Sequence, residues 1–133
     1  MTKHALSILC LSGCITGAVW GQVSFDRILA SGNEPQNWLT YSGSTMSQRY
    51  STLNQITPEN VKNLELQWQF QARSLEKFEA TPIVVDGILY TVQAPNTVVA
   101  LDAVTGRVFW NYPYVPARAA RPCCGQVDRK SVV

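Results

Sequence analysis

The sequence predicts an all-β protein of short antiparallel strands, preceded by a turn or two of helix. Three observations carry that expectation. Patterning switches to a period of two at Leu64, an Asp86-Gly87 pair separates two β-branched runs, and Trp68 and Trp110 stand 42 residues apart in similar strand contexts. With 46% hydrophobic and 15% charged residues in 133, the chain has enough apolar side chains to bury a core and is not disordered in composition. One domain, or part of one, is the ceiling. The formal charge of +2 comes from scattered groups, with no Lys/Arg run and no basic stripe interleaved with aromatics, so nucleic acid is not an expected partner.

Residues 1–21 read as an export signal. Lys3 and His4 open it, an apolar run follows from Ala5 to Val19, and Val19-Trp20-Gly21 suits cleavage after Gly21. A transmembrane anchor needs about eighteen unbroken apolar residues, and this run is broken by Ser7, Ser12, Gly13, Thr16 and Gly17. The rival reading is a lipoprotein anchored through Cys14, because Leu11-Ser12-Gly13-Cys14 has the small residues that precede a lipidated cysteine. Cleavage after Gly21 removes His4, the single histidine, and with it any Ser-His-Asp triad, His-coordinated zinc site or CxxCH haem attachment. Cys10 and Cys14 leave too, so Cys123 and Cys124 are the remaining thiols.

Residues 22–63 read as an irregular segment with short helices. Ser24 caps a turn or two over Phe25-Asp26-Arg27-Ile28-Leu29, which Ser31-Gly32-Asn33 and Pro35 end. A second short helix is expected near Pro58, with Thr57 as cap and Glu59 where the helix dipole favours an anion. Leu64, Leu66, Trp68 and Phe70 then alternate with Glu65, Gln67, Gln69 and Gln71, the clearest strand pattern of the chain. Thr81–Val85 and Ile88–Val92 form the expected hairpin about Asp86-Gly87, a pair suited to a type I′ turn. Thr97–Leu101 and Arg107–Asn111 follow, joined by a turn at Asp102-Ala103-Val104-Thr105-Gly106. The tryptophan spacing matches one four-stranded propeller blade, although two copies fit a β-sandwich fragment as well.

Ala100-Leu101-Asp102-Ala103-Val104-Thr105-Gly106-Arg107-Val108-Phe109-Trp110 resembles the tryptophan-docking motif of quinoprotein dehydrogenases, in which the indole of each blade packs against its neighbour. Asn37-Trp38-Leu39-Thr40-Tyr41-Ser42-Gly43, Gln48-Arg49-Tyr50-Ser51, Leu53-Asn54-Gln55-Ile56, Ala80-Thr81-Pro82 and Cys123-Cys124-Gly125 are similar to that family in order and spacing. The resemblance covers roughly residues 37 to 127. It implies a partial β-propeller over residues 64–127, about one and a half blades of an eight-bladed ring. It further implies alcohol oxidation in the periplasm with pyrroloquinoline quinone (PQQ) and a calcium or lanthanide ion, and electron transfer to a cytochrome or other acceptor.

The resemblance also assigns residues. Cys123 and Cys124 match a vicinal disulfide on which the flat cofactor rests; such a bond is strained, because adjacent Cα atoms lie about 3.8 Å apart while ordinary disulfides need about 4.4 to 6.8 Å. From the residues alone, pairing with other cysteines or two free thiols stay open. Glu79 matches an acidic residue that hydrogen-bonds the quinone's periphery, and Arg129 a cation beside its reactive carbonyls. The neighbours Asp128 and Lys130 depart from the family's Asn and Gly. Residues 128–133 are also what the start of a common sequencing adapter encodes in one frame, so the tail is a suspected artefact, and an artefactual tail would make the Arg129 match accidental. No carboxylate here matches the family's catalytic base or metal ligands, so this piece alone is expected to be inactive. A non-catalytic periplasmic propeller scaffold is the alternative function; it would have no need of adjacent cysteines beneath a cofactor.

Overall fold

The computed structural model describes residues 23–115. Its centre is a four-stranded antiparallel meander in the order β1 (Ile83–Val85), β2 (Ile88–Gln93), β3 (Thr97–Asp102), β4 (Val108–Pro113). Each expected strand of the meander is present, within two residues of its expected ends. The Asp86-Gly87 turn adopts positive φ at both residues, 50° and 79°, as a type I′ turn requires. Such a turn matches the twist of the flanking strands and fixes the register of Val85 against Ile88.

Register sorts the β2 side chains onto two faces. Leu89, Thr91 and Gln93 lie opposite Leu101, Val99 and Thr97 of β3, while Ile88, Tyr90 and Val92 lie opposite Asp102, Ala100 and Val98. Val99, Ala100 and Leu101 are essentially inaccessible, so the middle of β3 is the core of the described residues. Tyr90 and Trp110 meet on the second face with ring centroids 6.0 Å apart and planes tilted by 50°. The outer edge of β1 is covered by a bridge to the N-terminal segment: Trp38 N–H donates to Val84 O at 2.8 Å, and Val84 N–H to Trp38 O at 3.1 Å. At the other edge, β4 pairs only with β3 among the described residues.

Helix α1 (Phe25–Leu29) forms where expected, and Ser24 Oγ accepts the Arg27 N–H at 3.1 Å. The expected helix at Pro58 does not form. Residues 57–60 make a turn that runs into a 3-10 helix, Val61–Asn63. One α-type bond forms, Val61 N–H to Thr57 O at 2.9 Å, with Asn60 Oδ1 accepting the Thr57 N–H at 2.8 Å in the manner of a cap, but the bonds that follow are the tighter ones of a 3-10 turn, Asn63 N–H to Asn60 O and Leu64 N–H to Val61 O.

The strand expected over Leu64–Phe70 is also absent as a paired strand. The segment joins no ladder, and Leu64 and Leu66 are exposed, Leu66 at 79%. Alternation describes a strand with one buried face, but the strand exists only when another backbone accepts its hydrogen bonds. No such partner lies among the described residues. Among the described residues, Leu64–Phe70 is therefore an unpaired segment beside one four-stranded sheet.

Candidate functional site

One end of the sheet is built around the β3–β4 turn. Asp102 drives its closure: its carboxylate accepts the Val104 N–H at 2.8 Å and the Thr105 N–H at 3.2 Å. Those two backbone donors, Val104 first, hold the Asp102 carboxyl below the usual carboxylate range. The chain then reverses at Gly106, whose φ is 71°. Across this glycine lies the Trp68 indole, so close that a Cβ there would sit 2.5 Å from Trp68 Cε3. Trp68 Nε1 donates to Ala103 O at 3.2 Å, and Ala103 N–H donates to Gly87 O at 2.9 Å. The turn thus receives an indole from outside the sheet and ties it to the β1–β2 hairpin.

The opposite end carries the β2–β3 turn and the loop leading to β1. Gln93, the last residue of β2, is buried at 8% exposure, and its side-chain Oε1 accepts the Arg73 N–H at 3.0 Å. Between Arg73 and Ile83 the backbone has no regular structure. Glu79 lies in that stretch, exposed, directly before Ala80-Thr81-Pro82. Thr91, two residues before Gln93 on the same face, is buried as well.

A third cluster fixes the N-terminal segment. Arg27 donates through Nε to both Glu34 oxygens, at 2.9 and 3.1 Å, and through Nη1 to Asp86 Oδ2 at 2.9 Å. Asn37 Nδ2 donates to Glu34 Oε2 at 2.6 Å, while its Oδ1 accepts the Asp86 N–H at 2.9 Å. Hydrogen bonds donated to Asp86 and then to Glu34 hold the Arg27 guanidinium above its ordinary value. Arg27 in turn is the main reason both carboxyls lie below theirs, with Asn37 adding to the effect on each.

Of the four residues assigned to a cofactor from sequence, the structure places Glu79; Cys123, Cys124 and Arg129 lie outside the described residues, as do the export signal and the tail. Among the described residues no group of three or more acidic, cysteine or histidine side chains is arranged to hold a metal, and no helix is long and apolar enough to cross a membrane. The Arg27 cluster and the Gln93 contact were invisible to periodicity. The Arg27 cluster joins residues 59 positions apart and the Gln93 contact joins residues 20 apart, each through one side-chain geometry that leaves no repeat in the sequence. The signal that did exist was Asn37 and Asp86, two turn-forming residues in tracts otherwise read as an opening segment and a hairpin.

Comparison with known proteins identifies the arrangement. Residues 38–131, which take in Glu79, Cys123, Cys124 and Arg129, match the family described as PQQ glucose/ethanol/alcohol dehydrogenase, β-propeller domain. The chain is 43% identical over 105 residues to the quinohemoprotein alcohol dehydrogenase ADH-IIG of Pseudomonas putida, covering 77% of this chain and 15% of that one. It is 42% identical over 101 residues to the dehydrogenase subunit of the quinone alcohol dehydrogenase of Gluconobacter oxydans, covering 74% and 13% respectively. The solved structure of the Pseudomonas putida ADHIIG enzyme superposes with a TM-score of 0.66 at 44% identity, over 68% of this chain and 13% of that one. A europium-containing methanol dehydrogenase gives 0.64 at 35% identity, over 69% and 16%. The chain spans 13% to 19% of the length of such relatives. A four-stranded meander whose closing turn receives a tryptophan from beyond its own sheet is thus part of a propeller, and the chain belongs to the PQQ-dependent glucose/ethanol/alcohol dehydrogenase β-propeller family.

Proposed function

We propose that this chain supplies one blade and the neighbouring docking segment of a PQQ-dependent alcohol dehydrogenase, and that it contributes one side of the quinone seat. The observation that carries the proposal is the docking of Trp68 on the Ala103–Gly106 turn, an inter-blade contact made within a family of quinone enzymes. PQQ, when bound, supplies the two-electron acceptor for oxidation of an alcohol to an aldehyde. The residues here bind and orient. Glu79 is exposed at the mouth of the loop before β1, where its carboxylate can accept a hydrogen bond from the edge of a flat, polar ring system. That chemistry fits a quinone periphery. Cys123 and Cys124, joined to each other, would give a stiff face for the ring; Arg129 would add a cation for charge developing on a quinone oxygen only if the tail that carries it belongs to the natural chain.

The metal ion, calcium or a lanthanide, and the catalytic base belong to other parts of an enzyme several times longer. The substrate is a small alcohol and the electron acceptor a cytochrome; one relative is named 1-butanol dehydrogenase (cytochrome c), from Thauera butanivorans. The residues before Val23 suit export to the periplasm with cleavage after Gly21, and a start at Cys14 on N-terminal sequencing would replace that reading with a lipoprotein.

Titration with PQQ tests the proposal. Quenching of tryptophan fluorescence that saturates, and that weakens in Glu79→Gln or after reduction and alkylation of Cys123 and Cys124, supports it. Two free thiols in the intact mass of the non-reduced protein would remove the disulfide seat. A chain that takes up no quinone, with or without calcium, points to the non-catalytic scaffold. Turnover of alcohol by the chain alone would show that the base and metal ligands lie within it.

A further inference from the structure

The outward hydrogen-bonding groups of β1 are all accounted for. Val85 pairs with Ile88 across a two-residue turn, so Val85 and Ile83 direct their backbone groups toward β2 and Val84 directs its own away from the sheet. Trp38 takes both Val84 groups, in the reciprocal pair that a neighbouring antiparallel strand would make. Two residues on, the Asp86 N–H goes to a side chain, Asn37 Oδ1, at 2.9 Å. Two residues back stands Pro82, which has no N–H to offer.

An open strand edge is a template for another strand. Ile83-Val84-Val85 carries none of the charges that discourage such pairing, and a formal charge of +2 gives little repulsion between copies. Val84 of a second copy could make with this Val84 the same two bonds that Trp38 makes, as the centre of an antiparallel β1–β1 pair. The N-terminal segment occupies that place. Two backbone bonds, each of modest net value, would hold it weakly. Arg27 adds a fork from α1: Nη1 donates to Asp86 Oδ2 at 2.9 Å, Nη2 to Asp86 Oδ1, and Nε to Glu34. Glu34 in turn accepts Asn37 Nδ2 at 2.6 Å, so the fork and the amide that caps Asp86 N–H form one unit. On the far side of Trp38 its indole lies on Gly43, whose φ is 81° and where a Cβ would sit 2.7 Å from Trp38 Cη2. Asn37 and Leu39, which flank Trp38, are each 7% exposed. Trp38 is thus held from both directions along the chain.

We infer that residues 24–43 are an intramolecular edge guard, locked by the Arg27 fork on Asp86, that keeps β1 from pairing with β1 of a second copy of this chain. Trp38 and Asn37 occupy the edge. Arg27, Glu34 and Gly43 hold them there.

Amide hydrogen exchange and sedimentation velocity over a range of concentrations test the inference on the full chain. The variants are Arg27→Met, Gly43→Ala, and Arg27→Met combined with Val84→Pro. In the wild type the Val84 and Asp86 amides are expected to exchange at least about tenfold more slowly than their unstructured rates. Arg27→Met is expected to speed both about fivefold, with the β2–β3 ladder amides still protected, and to raise the dimer fraction at least about threefold. Gly43→Ala loosens Trp38 from the other side and is expected to act likewise. Adding Val84→Pro to Arg27→Met removes the outward N–H and is expected to return the dimer fraction to the wild-type level. Wild-type Val84 and Asp86 amides that exchange at unstructured rates overturn the guard, whether or not the variants fold. Unchanged Val84 exchange in Arg27→Met overturns the lock. Faster exchange in both single variants with no added dimer overturns the role against pairing. Added dimer that survives Val84→Pro places the contact elsewhere and overturns β1 pairing.

Discussion

The β2–β3 pair and the segment from Leu64 to Phe70 have equally persuasive strand sequences and opposite fates. Ile88–Gln93 and Thr97–Asp102 pair residue for residue and enclose the core, with Val99 fully buried. Leu64–Phe70 alternates more cleanly and pairs with nothing among the described residues. A β-branched run next to a tight turn brings its own partner, because the hairpin delivers the second strand a few residues later. An alternating run followed by an irregular loop has no partner nearby in sequence. Trp68 is the exception within it. The indole needs no ladder, only a glycine to lie on and a carbonyl to accept its N–H.

Substitutions can break that contrast or sharpen it. The largest difference is expected between two leucines: Leu101→Ala should cost about 3 kcal/mol, and Leu66→Ala no more than about 0.5 kcal/mol, in urea unfolding followed by far-UV circular dichroism. Equal costs would show that the unpaired segment is buried in solution. Gly106→Ala comes next, at about 2 to 3 kcal/mol, because it combines a positive φ with a Cβ driven into the Trp68 ring. Its signature is loss of the near-ultraviolet signal of Trp68 before the sheet itself unfolds. Trp68→Phe keeps most of the packing and drops the bond to Ala103 O, so about 1 kcal/mol is expected.

The smallest effect belongs to the Arg27 cluster, whose groups are partly exposed and screened by solvent. Arg27→Met should lower the urea midpoint at neutral pH. Glu34 and Asp86 have depressed carboxyl pKa values in the folded chain, so their contribution is complete above the ordinary carboxylate range and fades as pH falls through the folded values. Midpoints of wild type and variant are therefore expected to converge on acidification from about pH 7 to about pH 3. A gap that widens in acid would mean the cluster is not paired in solution.

Much of the fold was legible because it is local. Ser24 needed only the next three residues to cap α1, Asp86-Gly87 needed only their own φ preference, and Asp102 with Gly106 closed a turn within five residues. The helix expected at Pro58 stopped after one α-type bond, Val61 N–H to Thr57 O, where the chain tightened into the 3-10 turn Val61–Asn63. The candidate site was less legible. Glu79 was assigned through family likeness, whereas the contacts of Gln93 with Arg73 and of Trp38 with Val84 act across 20 and 46 positions.

By itself the sequence determined where this chain turns, which face of each strand is apolar, and which family it belongs to, since these follow from backbone preferences and motif spacing. Tertiary structure alone decided which apolar runs became strands, which end of the sheet received Trp68, and that one arginine would gather two carboxylates from distant segments. The physical reason is that hydrogen bonds and ion pairs need a partner in space, and the sequence of one segment does not say where the chain will bring that partner.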